Sequence, residues 1–207
     1  MKCIVISDTH TLHWKLQIPD GDVLVHAGDA LNRGTLEELQ DFNYWLNTLP
    51  HKHKIVIAGN HDWCFEREQT AEKARAILTA ATYLQGSGIE IGGVYFYGSP
   101  WQPAFMDWAL DLERGKPMND KWKKFRITDV LIPHGPPLNI LDNTITGERV
   151  GCLDLWEAVS RVRPKFHVFG HIHESYGQLT ESGVQFINAC ICTERYKPIN
   201  KPIVFEF

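Results

Sequence analysis

The sequence predicts an α/β fold in which sheet is flanked by helices, and three observations carry that prediction. Apolar runs of strand length recur along the chain, amphipathic helical segments separate several of them, and some runs are apolar throughout, as strands buried on both faces are. The runs are Lys2 to Ser7, Val23 to Ala27, Lys54 to Ala58, Val94 to Tyr97, Val130 to Ile132, Phe166 to Phe169, Val184 to Ile187 and Ile203 to Phe207.

The first predicted helix carries Leu36, Leu39, Phe42 and Leu46 at helical spacing, with Thr35 as N-cap and Glu38 completing a capping box. In "CLDLWEAVSRV" the residues Cys152, Leu155, Trp156, Val159 and Val162 share one helical face, and Pro164 ends it. A third helix is predicted over Glu66 to Ala80. Strand and helix alternate in the first half and again from Val130 onward. The stretch from Pro100 to Lys121 holds Trp101, Pro103, Phe105, Trp108, Pro117 and Met118 without periodicity, so a long loop or two short helices are expected there. No internal repeat interrupts the pattern.

With 207 residues, 43% apolar and 22% charged, the chain reads as one soluble domain spanning 1–207, and no window reaches the apolar length of a membrane span. The opening "MKCIVISDTH" is cut short by Asp8 with no small-residue cleavage site after it, so a cytoplasmic location is expected. Five cysteines without regular spacing argue against a disulfide framework. A net charge of -4 offers no general attraction to a polyanion, which disfavours an extended nucleic-acid partner.

Followed to their ends, the predicted strands show a second pattern. Ile6-Ser7 leads to Asp8 and His10, Val25-His26-Ala27 to Gly28-Asp29, and Ile57-Ala58 to Gly59-Asn60-His61-Asp62. Leu131-Ile132-Pro133 leads to His134-Gly135, and Val168-Phe169 to Gly170-His171-Ile172-His173. Ends that are distant in sequence converge beyond the carboxyl edge of an α/β sheet. Each motif alone is an ordinary turn or cap, whereas five of them together point to a metal site. Asp, His and Asn suit Mn, Fe, Zn or Ni, and the ligand count serves two ions, with Asp29 the natural bridge. Such a pair can hold a hydroxide for in-line attack on phosphorus. Glycines 28, 59, 135 and 170 fit tight turns or close approach. His26 and His167 read as core residues, while His13, His51 and His53 are left outside the site.

The set "DTH", "GDALNRG", "GNHD", "HGPP" and "GHIH" resembles the signature of the calcineurin-like metallophosphoesterase superfamily, in its usual order. Together with "GSPWQP", "RVGC" and "RPKFHVFGHIHE" it is similar to a small branch that includes the brain-specific metallophosphoesterase-domain-containing proteins. The resemblance implies two mixed β-sheets packed as a sandwich with flanking helices. It also implies Asp8, His10, Asp29 and His173 around one metal, Asp29, Asn60, His134 and His171 around the other, and His61 as the near-site acid. An imidazole beside a ligand can protonate a leaving alkoxide.

Protein phosphatases of the superfamily carry an acidic residue where this chain has Asn32, so Asp62 becomes the candidate to orient His61. Arg33 stands at their phosphate-binding position and is a weak candidate substrate contact. Trp101, Phe105 and Trp108 either wall the pocket and stack on a base or plug the core beneath a loop. Arg149 and Glu194 lie near the matching segments without an assigned role.

The expected function is a dinuclear-metal-dependent phosphodiesterase, manganese first among the metals, acting on a small diester such as a cyclic nucleotide. The alternatives are a phosphomonoesterase with the same centre and, from another class, a non-catalytic protein-binding scaffold. The end strand "KPIVFEF" and the tryptophan-rich loop leave room for a homodimer.

Overall fold

The computed structural model describes residues 1–207. Its strands are β1 (Lys2–Ile6), β2 (Val23–Ala27), β3 (His53–Ile57), β4 (Thr82–Tyr83), β5 (Ser87–Ile91), β6 (Val94–Ser99), β7 (Gln102–Pro103), β8 (Asp111–Leu112), β9 (Val130–Pro133), β10 (Phe166–Phe169), β11 (Gly177–Glu181), β12 (Val184–Asn188) and β13 (Ile203–Glu206). Helices α1 (Leu36–Thr48), α2 (Ala71–Ile77), α3 (Lys116–Trp122) and α4 (Leu153–Val162) flank them.

The strands form two mixed sheets, ordered β13-β1-β2-β3-β4 and β11-β12-β10-β9-β6-β5, with β7 and β8 as a separate ribbon. Strands β1 to β4 run parallel and β13 joins β1 antiparallel. In the second sheet β12, β10, β9 and β6 are parallel, and the antiparallel β11 and β5 close its edges.

Because side chains alternate across a strand, each central strand feeds two cores. Val5, Val25 and Ile57 face Phe96, Ile132, Val168 and Ile187 between the sheets. Ile4, Ile6, Leu24 and Val56 face outward onto Leu39, Phe42, Trp45 and Leu46 of α1 and Ala74 of α2. On the far side Leu131, Phe169 and Phe186 meet Met118 and Trp122 of α3 and Leu155 and Val159 of α4. Each apolar face burying against the next is worth about 25 cal/mol per Å², which is why the central strands tolerate almost no polar residue.

The expected sandwich and flanking helices are present. Helix α1 starts on the anticipated capping box, with Thr35 accepting from the Glu38 N–H and the Glu38 carboxylate reaching back to the Thr35 N–H. Helix α2 is shorter than the predicted 66–80. Trp63–Phe65 forms a 3₁₀ turn, and the Glu66 carboxylate is drawn away to the Leu110 N–H. The 100–121 stretch is neither one loop nor two helices: it makes the β7/β8 ribbon and then enters α3. Strands β5 and β11 lie outside the predicted runs because "SGIEI" and "GQLTE" are half-exposed edges without an apolar run.

Candidate metal centre

The ends of β1, β2 and β3 in one sheet and β9 and β10 in the other meet at one edge of the sandwich. Asp8, His10, Asp29 and His171 all take left-handed backbone there, with φ of 53°, 43°, 55° and 70°. Four non-glycine residues in this disfavoured region hold the chain in the sharp turns that aim their side chains inward. A β-carbon on Gly59 would strike the Asp29 carboxylate, and one on Gly170 would strike the Asp8 carboxylate, so the ligand-bearing loops pass in direct contact. Gly135 has ordinary clearance, so close approach does not account for it.

The Oδ1 atom of Asp8 lies 3.3 Å from His173 Nε2 and 4.0 Å from His10 Nε2. Asp29 Oδ2 lies 4.0 Å from His10 Nε2 and 3.4 Å from His134 Nε2, so one oxygen faces both halves of the cluster. Asn60 Oδ1 is 3.1 Å from His134 Nε2, and His171 groups with Asp29 and His134. The structure thus brings together Asp8, His10, Asp29, Asn60, His134, His171 and His173, all predicted from the strand ends.

Hydrogen bonds at the back of the site set which ring atoms face it. His134 Nδ1 donates to the Ala27 carbonyl at 2.9 Å and His173 Nδ1 to the Thr193 carbonyl at 3.0 Å. Both rings therefore turn Nε2 toward the centre. Asp8 Oδ2 accepts from the Ser7 hydroxyl, the Cys190 thiol at 3.1 Å and the His171 N–H at 3.0 Å, and Oδ1 shares that His171 N–H at 3.2 Å while facing His173 Nε2. The Ser7 and Cys190 contacts carry no sequence signal, since Ser7 reads as the end of an apolar run and Cys190 as a small core or loop residue.

The donor set fits divalent metals. His10 Nε2 and His173 Nε2 face each other at 3.3 Å, a juxtaposition of ring nitrogens that a shared cation reconciles. Burial pushes the His10 and His171 imidazoles down to about 4, the neutral form that binds metal. Burial also opposes charge on His134 and His173, but the Asp29 and Asp8 carboxylates override it and raise both to about 9. For Asp8 and Asp29 burial works against ionisation, and the facing histidines hold both carboxyls well below the usual range.

His61 stands beside this cluster. Its Nδ1 donates to the backbone carbonyl of Asn32 at 2.8 Å and its N–H donates to Asp29 Oδ1. Asp62 does not orient it. The Asp62 carboxylate instead accepts from the N–H groups of Gly59 at 2.8 Å and Leu31 at 2.9 Å, tying the loops after β2 and β3 together. Burial, then the nearby Asp29 charge, raises Asp62 to about 7.

A cavity of about 340 Å³ opens onto the centre, lined on its apolar side by Pro103, Phe105, Trp108, Val150 and Tyr196. Trp108 meets His61 edge-on at 4.2 Å. Two expected substrate contacts lie elsewhere: Trp101 faces a separate surface hollow with Lys121 stacked over its ring, and Arg33 is exposed outside the cavity. Arg149 pairs with buried Asp142 at 3.0 Å and Glu194 with Arg195, so neither belongs to the cavity wall. His13 is buried against Asp41, and His26 bonds Thr9, both away from the ligand atoms. Tyr196 was outside every motif in the sequence.

With this geometry in place, comparison with known proteins defines the class. Residues 1–175 match the Calcineurin-like phosphoesterase family model, and the chain belongs to that family, whose members are metal-dependent phosphoric ester hydrolases with a dinuclear centre. It is 41% identical to Metallophosphoesterase domain-containing protein 1 of Homo sapiens over 98% of this chain and 70% of that one. A UPF0046 protein of Caenorhabditis elegans is also 41% identical, over 99% of this chain and 74% of its own. Among solved structures, an archaeal phosphodiesterase shares the fold at a TM-score of 0.50 and 17% identity, covering 99% of this chain and 100% of its own. No helix is long and apolar enough to cross a membrane.

Proposed function

We propose that this protein is a phosphodiesterase acting on a small diester, with Asp8, His10, Asp29 and His173 holding one divalent metal and Asp29, Asn60, His134 and His171 the other. Manganese is the first candidate, and Fe, Zn and Ni suit the same donors. When bound, the two ions lower the pKa of a water and offset the charge on phosphoryl oxygens.

The observation that carries the diester preference is the absence of a free lysine or arginine in the cavity wall. Arg114 is its one arginine, and both terminal nitrogens donate to the Val150 and Gly151 carbonyls. Asp111 and Glu174 add negative charge nearby. A monoester arrives as a dianion and needs cationic partners beyond the metals, whereas a diester is a monoanion whose two substituents suit apolar walls. Trp108 and Phe105 offer stacking faces for an aromatic group such as a nucleobase.

His61 is the group that moves a proton. The Asn32 carbonyl holds one hydrogen on Nδ1, so the imidazolium gives its Nε2 proton to the leaving oxygen and is left as the neutral ring. The test is to strip the metals, restore manganese, and compare bis-p-nitrophenyl phosphate with p-nitrophenyl phosphate in wild type, Asp29→Ala and His61→Ala. Metal-dependent diester turnover that collapses in both variants supports the proposal. Cleavage of the monoester alone makes the protein a phosphomonoesterase, and two bound metals with no turnover favour the scaffold.

A further inference from the structure

We infer that Tyr196 is a specificity-determining residue that grips the substituent retained on phosphorus, an uncharged aromatic group. This rests on the diesterase reading above. Its ring centroid lies 4.8 Å from that of His10, 5.5 Å from His173 and 6.5 Å from His61, each in an edge-on arrangement. Trp108, by contrast, packs against His61 alone of these three. Because His61 protonates the leaving oxygen, the leaving group lies on the Trp108 side. The group that stays on phosphorus falls on the His10 and His173 side, against Tyr196.

Packing does not account for the residue. Tyr196 is 45% exposed although it lines the cavity, whereas a ring serving the core would be covered. Its backbone φ is 54°, where a bulky side chain is unusual and glycine or asparagine would sit without strain. The turn keeps this shape through its backbone. The Thr193 N–H donates to the Lys197 carbonyl, and the Tyr196 N–H donates to the Thr193 carbonyl. Thr193 Oγ1 accepts from the N–H groups of Arg195 and Lys197. That same Thr193 carbonyl accepts from His173 Nδ1, so the turn orients a metal-facing imidazole through main chain and presents Tyr196 through side chain. Changing the side chain therefore separates the two tasks.

The experiment compares bis-p-nitrophenyl phosphate with methyl p-nitrophenyl phosphate, which share a leaving group and differ in the retained one. Manganese-loaded wild type, Tyr196→Phe and Tyr196→Ala are assayed, with metal content by mass spectrometry and thermal midpoint for each. Tyr196→Ala is expected to raise KM about tenfold for the aryl diester and to leave the methyl diester unchanged, the scale of losing one stacking face. Tyr196→Phe stays near wild type, and metal content is equal in all three. An equal change on both substrates, or a variant that loses metal, makes Tyr196 structural and overturns the inference. A wild type active on both diesters and matched by Tyr196→Ala sinks this inference alone. A wild type that cleaves neither sinks the diesterase reading, and this one with it.

Discussion

The two sheets bring different chemistry to the seam where they meet. The first sheet supplies every oxygen donor, Asp8, Asp29 and Asn60, together with His10 and His61, while the second supplies only imidazoles, His134, His171 and His173. Neither half makes a balanced site alone. Two carboxylates buried without partners would cost several kcal/mol each, and the imidazoles facing them offset that cost. The centre is thus also a joint between sheets, since the His134 and His171 N–H groups donate across it to Ala27 and Asp8.

This division ranks the expected effects of substitution. Asp29 faces both halves through one oxygen, so Asp29→Ala should lose both metals and more activity than the roughly 10–100-fold typical of removing a ligand's supporting partner. Metal content and kcat measured on the same sample check it. Retention of one full equivalent of metal would break the picture of a shared oxygen.

Asp62 sharpens the comparison from the structural side. It stitches two loops of the first sheet and makes all its side-chain hydrogen bonds there, so its loss should act on stability. Asp62→Ala leaves the Gly59 and Leu31 N–H groups buried without partners and should cost about 3 kcal/mol in chemical denaturation. Asp62→Asn should cost less, because its amide oxygen still accepts and the charge beside Asp29 is gone.

The second sheet carries a contrast of its own. His171 and His167 lie four residues apart, one at the site and the other deep in β10, where both ring nitrogens lack a partner and the ring packs on Phe169 and Phe186. Burial drives His167 down to about 3 from its usual 6.5. Between those values the unfolded chain binds a proton that the folded chain refuses, so stability falls as pH is lowered from about 6.5. His167→Leu should remove this term, gaining on the order of 2 kcal/mol at pH 5 relative to its effect at pH 8. Urea midpoints at the two pH values measure it, and a gain independent of pH would refute the assignment.

What the sequence made legible follows from the same physics. Strand ends rich in Asp and His can be read because apolar runs delimit them, and the turn to the site is local. Trp101 and Trp108 could not be told apart, since the β7/β8 ribbon that turns one into the cavity and the other out of it is set by Asp111 accepting from the Phe105 and Trp108 N–H groups. Edge strands β5 and β11 were hidden for want of a buried face. Tyr196 was hidden because its placement depends on a turn whose hydrogen bonds are all made by Thr193 and main chain.

The orientation of His61 is the sharpest case, because there a side chain was expected and a main-chain atom is found. Where an acidic residue is present in related phosphatases this chain has Asn32, and Asp62 was the apparent substitute. The Asn32 carbonyl fills the role at 2.8 Å while the Asn32 side chain stays exposed. The carbonyl itself is held by the fold of its loop, where the N–H groups of Asn32, Arg33 and Gly34 all donate to the Glu38 carboxylate in the first turn of α1. Asn32→Ala should therefore change kcat by no more than about twofold, as an exposed substitution does. Glu38→Ala, which frees the loop without touching the centre, should lower kcat more than Asn32→Ala while leaving metal content intact. The reverse order would mean that the Asn32 amide, and not its carbonyl, positions the acid.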